Sequence, residues 1–305
     1  MSGNRAVLLL AHGTPDSLDE IPEYLNNVTG GRPLSQTVIE EIRHRYSLIG
    51  KSPLTRLTLR QAELLSEKLR LPVYVGMRNW KPYIADAVRQ MRADGIDSFA
   101  AICLAPQNSQ TSVGLYRRAV FAESGDMRVD FTEAWADHPL LADAFAERLR
   151  AVWTRGTPVL FTAHSVPTRT LQATADTAGD PYETQARQTA VLVAERIGLT
   201  ADEWRFAFQS QGVSGGPPGS ASSWIGPTVE ETLTALREQD AQRVVLQPIG
   251  FLCDHVEVLY DIDIAFRQFA ADLGMELVRP DSLNDSPLLT DALAELARSG
   301  LARLG

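Results

Sequence analysis

Short apolar runs alternate along this chain with longer stretches whose apolar positions recur at helical spacing. The runs predict strands at residues 6–11, 73–75, 99–104, 128–132, 159–163, 205–208, 243–246 and 276–279. The periodic stretches predict amphipathic helices at 57–69, 82–93, 140–152, 182–197, 229–238 and 287–301. Strands alternating with helices of this length imply an α/β fold with doubly wound parallel sheets, helices on both faces and four strands in each half.

The halves echo each other. Residues 8–15 read LLLAHGTP and residues 160–167 read LFTAHSVP. LAPQ at 104–107 and LQPI at 246–249 each end the third strand of a half. Matched strand ends half a chain apart predict two similar α/β domains facing each other across a cleft. The boundary falls near the Gly-Thr-Pro at 156–158, dividing residues 1–153 from residues 154–284 and leaving 285–305 as a C-terminal helix. Residues 26–32 and 50–53 are irregular; they flank a helix and, with it, carry Arg32, Arg45 and Lys51. Residues 211–223, rich in Gly, Ser and Pro, predict a mobile loop.

The chain has 305 residues, a hydrophobic fraction of 44% and a formal charge of −9, which suits a globular protein and argues against nucleic acid or an anionic membrane as partner. No run is long enough for a membrane span, and the apolar N-terminal run is too short for a signal peptide. Two cysteines, Cys103 and Cys253, sit at strand ends and are too few for a four-thiolate site. A reduced, cytoplasmic setting is expected.

The chemistry concentrates at strand ends of the second half. Residues 250–263, GFLCDHVEVLYDID, follow the strand at 243–246 and open a helix. Asp254 is the expected N-cap, with Val256, Leu259, Tyr260 and Ile264 on the apolar face. Glu257 and Asp261, four apart, share another face, and His255 lies at the helix start. His164 ends the strand at 159–163. In an open parallel sheet such ends border the ligand crevice. An imidazole and a carboxylate meeting there could bind a divalent metal such as Fe²⁺, Co²⁺ or Zn²⁺, or move protons. The bland alternative is a solvated acidic face beside a satisfied histidine. His12 is the counterpart of His164 in the first half; a turn histidine is its plainer reading. His44 and His138 read as surface residues. There is no P-loop, no GxGxxG and no GxSxG elbow, so nucleotide binding and serine hydrolysis are disfavoured; Ser165 reads as a turn hydroxyl.

Taken together, AHGTP at 11–15, RYSLIGKSPL at 45–54, YVGMRNWKPY at 74–83, LAPQNS at 104–109, TAHSVP at 162–167, DPY at 180–182, QS at 209–210, WIGPTV at 224–229 and the 250–263 stretch resemble the ferrochelatase family, over nearly the whole chain. The resemblance implies Fe²⁺ insertion into a porphyrin during haem synthesis, with a final helix that returns to the first domain. It implies His164 and Glu257 as the metal-binding and catalytic pair, and Arg45, Tyr46, Ser52 and Tyr116 as porphyrin contacts. His12 stands in the porphyrin site where members from Gram-positive bacteria often carry a tyrosine able to ligate product iron. Ala265 stands where members often extend the acidic row past Asp261, and Thr29 aligns with an arginine that helps hold porphyrin, with Arg32 near enough to substitute. Fe²⁺ is then a substrate, no tightly bound cofactor is expected, and the cysteines of the 2Fe–2S cluster of some relatives are missing. The stretch YVGMRNWKPY and the polar 45–52 region look more like the branch using coproporphyrin III than the one using protoporphyrin IX. A monomer without a membrane segment is expected. The rivals are a cobalt or nickel chelatase of another tetrapyrrole and a non-catalytic haem- or metal-binding protein.

Overall fold

The structure, a computed structural model, describes residues 4–171, 179–211 and 224–305. Its strands are β1 Arg5–Ala11, β2 Val73–Met77, β3 Ser98–Cys103, β4 Arg128–Thr132, β5 Val159–His164, β6 Trp204–Gln209, β7 Arg243–Pro248 and β8 Glu276–Val278. They form two four-stranded sheets, in the orders β2-β1-β3-β4 and β6-β5-β7-β8. Every pairing is parallel, and the second order repeats the first. The expected duplication of α/β units is therefore present. Central strands of parallel sheets are buried on both faces, which is why β1 reads as an unbroken apolar run: Ala6 through Leu10 are all 0% exposed.

Each expected helix forms. Tyr182–Ile197 and Val229–Glu238 begin and end where the periodicity puts them, whereas Leu54–Leu69, Ile84–Ala93 and Pro287–Arg303 move by up to three residues at one end and Pro139–Arg150 by one and two residues at its two ends. The helix Val229–Glu238 starts on a reciprocal cap: Glu231 N–H donates to Thr228 Oγ1 at 3.2 Å, and Thr228 N–H donates to Glu231 Oε2 at 2.9 Å. The helix Val113–Ser124 was not expected. Its apolar residues lie on both faces, Val120 buried and Phe121 45% exposed, so no clean stripe marks it. His138 also differs from its surface reading. It is half-buried, its Nδ1 accepts the Leu140 N–H at 3.3 Å to cap the helix Pro139–Arg150, and its Nε2 lies 3.5 Å from Glu295. The Gly-, Ser- and Pro-rich segment lies, apart from Gln211, outside the described residues.

One apolar cluster runs through both halves. It joins Val7 and Leu9 of β1, Phe161 and Ala163 of β5, Phe145 between them and Leu293 of the last helix. Each of these buried Val, Leu and Phe side chains contributes about 1.5–3 kcal/mol of transfer free energy. The last helix crosses to the first sheet, where Gly300 sits so close that an added Cβ would meet Ala100 Cβ at 3.0 Å. Arg303 then grips Asp130 of β4 through Nε and Nη2, both at 2.7 Å. Separate clusters cover the outer faces, with Val88 and Val120 on the first sheet and Leu233 and Ile262 on the second.

The C-terminal strand ends of the two sheets meet. Gln107, just past β3, donates from Nε2 to the Ile249 carbonyl just past β7, at 3.3 Å. The two motifs that echo each other in sequence thus touch. Asp180 ties the next residues down, accepting from Ser109 Oγ at 2.9 Å and from Gln110 N–H at 2.8 Å. These bonds fix the width of the cleft between the sheets. No helix among the described residues is long and apolar enough to cross a membrane.

Candidate active site

The cleft has a volume of about 360 Å³, within the size range of small-molecule sites, and its walls are the loops that leave β1, β2, β3, β5 and β7. Gly13 turns the chain immediately after His12. Its φ is +86°, and a Cβ there would meet Trp80 N at 2.8 Å, so only glycine lets the β1 loop fold against the β2 loop. On the opposite wall Gly250 allows the 250–257 loop to pass β5, where a Cβ would lie 3.1 Å from Ala163 Cα.

His164 ends β5 and reaches Glu257 across that loop, Nε2 to Oε1 at 3.4 Å. Its Nδ1 meets the Ser165 carbonyl, which orients the ring. Burial lowers the pKa of His164, but the Glu257 charge and hydrogen bond, helped by the Ser165 carbonyl, outweigh it and push the group up to about 8. Burial in turn opposes ionisation of Glu257, and the two imidazoles His164 and His255 overcome it, holding the carboxyl well below its usual range. His255 Nε2 lies 3.4 Å from Glu257 Oε2, and its Nδ1 donates to the Cys253 carbonyl at 2.9 Å. Gln209, at the end of β6, fixes the backbone beneath. It accepts from Thr162 Oγ1 at 2.6 Å and donates to the Glu257 carbonyl at 2.9 Å.

The helix carrying Glu257 is not the regular one expected. It is an α-turn, Val256–Leu259, that widens into a π-helix, Asp261–Phe266, before Arg267–Asp272 resumes α winding. The Ala265 N–H donates to the Tyr260 carbonyl, five residues back, at 2.9 Å. The wide turn moves the buried stripe to Val258, Ile262, Phe266 and Ala270, while Ile264 is 37% exposed. Nor is Asp254 the cap, because its carboxylate is already engaged by Ser282 and Asn284; His255 occupies the cap position. The shared face of Glu257 and Asp261 survives, and Asp261 stays buried beside the cleft.

Asp261 accepts a short hydrogen bond from Ser210 Oγ and lies 3.7 Å from Arg45 Nη1. Burial, reinforced by the Glu257 charge, raises its pKa from 3.8 to about 6 in spite of those partners. A carboxyl whose folded pKa is raised binds its proton more tightly in the folded chain, so stability falls as pH climbs from 3.8 through about 6. That displacement corresponds to about 3 kcal/mol. Asp261→Asn is therefore expected to stabilise the fold by about 1–3 kcal/mol above pH 6, with the gain disappearing near pH 4. Denaturant melts at pH 4 and pH 7.5 test this, and an equal ΔΔG at both would refute it.

The opposite wall is built from the first half. His12 opens onto the cleft; its Nε2 lies 3.1 Å from the Tyr24 hydroxyl and 3.1 Å from Asn79 Nδ2. The ring is exposed to the cleft, but the protein packed around it displaces much of its hydration, and this with the nearby Arg78 charge lowers its pKa and keeps it neutral at pH 7. Tyr46 lines the cleft with its hydroxyl 3.2 Å from Thr14 Oγ1, and burial pushes that phenol up to about 12. Tyr116 lines it too, also raised by burial, with the Arg78 guanidinium 5.2 Å from its ring centroid.

His12, Tyr46, Tyr116, His164 and Glu257 thus come together, whereas Arg45 and Ser52 do not reach the cleft wall. Arg45 bridges Glu41 of its own helix, Gln36–Ile49, to Asp261 and lies 5.2 Å from the Tyr260 ring centroid. Ser52 is buried before the helix Leu54–Leu69, and its hydroxyl has no hydrogen-bond partner among the described residues. Among the lining residues, His255 was noted at the helix start but given no role, and Arg78 was not singled out. Arg78 immediately follows β2, and the strand-end rule that singled out His164 applies to it equally.

The fold has known counterparts. The solved sirohydrochlorin chelatase SirB of Bacillus subtilis, in complex with cobalt, superposes with a TM-score of 0.59 over 98% of this chain and 96% of its own, at 12% identity, which is a likeness of fold. A protein named ferrochelatase from Acidobacterium capsulatum is 62% identical over 322 residues, covering 100% of this chain and 97% of that one. A protein named coproporphyrin III ferrochelatase from Geobacillus sp. (strain WCH70) is 33% identical, covering 94% and 95%. With the ferrochelatase family profile matching residues 4–301 as well, the chain belongs to the ferrochelatase family.

Proposed function

We propose that this chain inserts Fe²⁺ into coproporphyrin III as a step in haem synthesis, working as a cytoplasmic monomer with no cluster or other resident cofactor. The observation that carries the insertion reading is the His164–Glu257 pair on one wall of a cleft, faced on the other by a histidine held neutral. Four pyrrole nitrogens accept a divalent ion only after two N–H protons leave. In this reading the macrocycle lies between the walls, with Tyr46 and Tyr116 against it. A rigid cleft that favours a bent ring over a flat one exposes the nitrogen lone pairs and lowers the barrier by differential binding. His164 loses its proton to become the ligand for Fe²⁺ or the acceptor of a pyrrole proton. Glu257 stabilises the imidazolium, and Asp261, poised near 6, takes protons onward towards solvent. His12 supplies a neutral nitrogen from the other face, the state in which imidazole ligates iron.

The substrate's carboxylates need cations in a chain of net charge −9. Among the described residues the Arg78 side chain makes one hydrogen bond, from Nη1 to the Thr111 carbonyl at 3.3 Å, and the rest of its fork would serve a propionate. Arg45 can serve only by releasing Asp261 or Glu41, and Ser52 only if its loop turns outward. Support for the four-carboxylate ring comes from the Geobacillus relatives, which carry that substrate in their names at 33–34% identity.

The test is anaerobic Fe²⁺ insertion run in parallel on coproporphyrin III and protoporphyrin IX and followed by visible absorption. Faster turnover of coproporphyrin III is expected. Faster turnover of protoporphyrin IX would reverse the substrate assignment, and stoichiometric binding without turnover of either would remove the enzymatic one.

A further inference from the structure

The stretch bearing His255, Glu257 and Asp261 is held at both ends by one buried guanidinium. Arg279 follows β8, and its side chain is 10% exposed. It donates Nε to Asp263 Oδ1 at 2.8 Å and Nη2 to Asp263 Oδ2 at 2.7 Å, a two-pronged grip. Its Nη1 lies 3.4 Å from Asp254 Oδ1 and also reaches the Pro280 carbonyl at 3.1 Å and Ser282 Oγ at 3.3 Å. Asp254 is held a second time: Ser282 Oγ donates to it at 2.7 Å and Asn284 Nδ2 at 2.9 Å, while its own N–H donates to Asn284 Oδ1 at 3.0 Å. Segment 279–284 therefore grips residues 254 and 263, and the three cleft-side groups lie between those two points.

What the grip holds is the wide turn. A π turn carries one residue more than α winding, and it is rarely populated unless its surroundings require it. Loss of that residue's worth of rotation would swing Asp263 by about 100° relative to Glu257. Asp263 would leave Arg279, and Asp261 would be carried round relative to Ser210 and Arg45. We infer that Arg279 is a positioning residue for metal insertion: by joining Asp254 to Asp263 it keeps the π turn and, through it, the placement of Glu257 against His164 with His255 and Asp261 beside it. This inference rests on the insertion reading above.

Arg279→Lys in the full chain is the direct test. Lysine keeps the charge but has no fork to join two carboxylates. The expected result is a kcat lowered by about 10- to 100-fold, the size seen when outer partners of metal-binding groups are removed. Porphyrin Kd is expected to be unchanged, and backbone amides across 258–265 to exchange faster with solvent. Asp263→Asn, which leaves the Asp254 side of the grip intact, provides a second reading should the lysine variant fold poorly, with the same direction expected. A merely structural ion pair would lower Tm and leave kcat of the folded fraction at its wild-type value. That result, a loss confined to KM, or unchanged amide exchange overturns the inference. No turnover by the wild-type chain removes the insertion reading, and the inference with it; wild-type turnover with unimpaired variants removes the inference alone.

Discussion

Replacing His164 by alanine is expected to lower metal insertion by at least about 10³-fold, the upper range for removing a positioned acid–base group, while porphyrin still binds. The asymmetry follows from the geometry. In the proposed reading porphyrin affinity is spread over Tyr46, Tyr116, Arg78 and the apolar lining, so that losing one imidazole leaves most of it in place. Two imidazoles flank Glu257 at 3.4 Å, and of these His164 ends β5, while His255 is held from its other nitrogen by the Cys253 carbonyl. Fluorescence titration with coproporphyrin III and an anaerobic insertion assay separate the two effects. Turnover near wild type in a folded His164→Ala protein would take His164 out of the mechanism.

The wild-type rate should also depend on pH in a defined direction. With a pKa of about 8, His164 is mostly charged at neutral pH and must shed its proton before it can act. Insertion therefore rises with pH through about 8. The ion pair's contribution to stability has the complementary dependence: it is complete below the ordinary histidine pKa of 6.5 and is lost as pH rises through about 8.

Glu257→Gln is expected to slow insertion by about 10²-fold, and the slower enzyme has a pH profile displaced downward. Glutamine keeps the shape and an acceptor oxygen but removes the charge that holds His164 up against the effect of burial. The imidazole then titrates lower, so the rising limb begins at lower pH even though its plateau is reduced. Removing one member of a buried charged pair also leaves the other uncompensated, but both side chains here are about a third exposed, so the fold tolerates it. A pH–rate profile on purified protein decides the matter. A limb left at its wild-type position would mean that Glu257 does not control His164, and a wild-type rate would deny it any role.

The residues that were legible beforehand share a property. His12, His164 and Glu257 sit at or just past the C-terminal ends of apolar runs, and in a parallel sheet that position alone predicts a cleft address. Arg78 satisfies the same rule, since it immediately follows β2, although the sequence reading quoted it only within the 74–83 motif. Arg45 and Ser52 were chosen by resemblance, and their side chains are held elsewhere, by Asp261 and by burial. Ile264 was assigned to the core on a period of 3.6 residues, which fails where the helix widens. The spacing of Val258, Ile262, Phe266 and Ala270, four residues each time, was present in the sequence as the mark of a wider turn.

By itself the sequence determined the two parallel four-stranded sheets, their duplication and the strand end on which His164 would stand. Strand and helix periods are local, and burial on both faces leaves an unmistakable apolar run. The tertiary structure alone decided how far the final helix travels, that Gln107 would meet Ile249, and that one arginine would clasp Asp254 and Asp263 together. Each of those joins groups distant along the chain through bonds that depend on where two elements come to rest. Local residue preferences carry no record of such distances, so the aim of the carboxylates at the histidine is a property of the folded cleft.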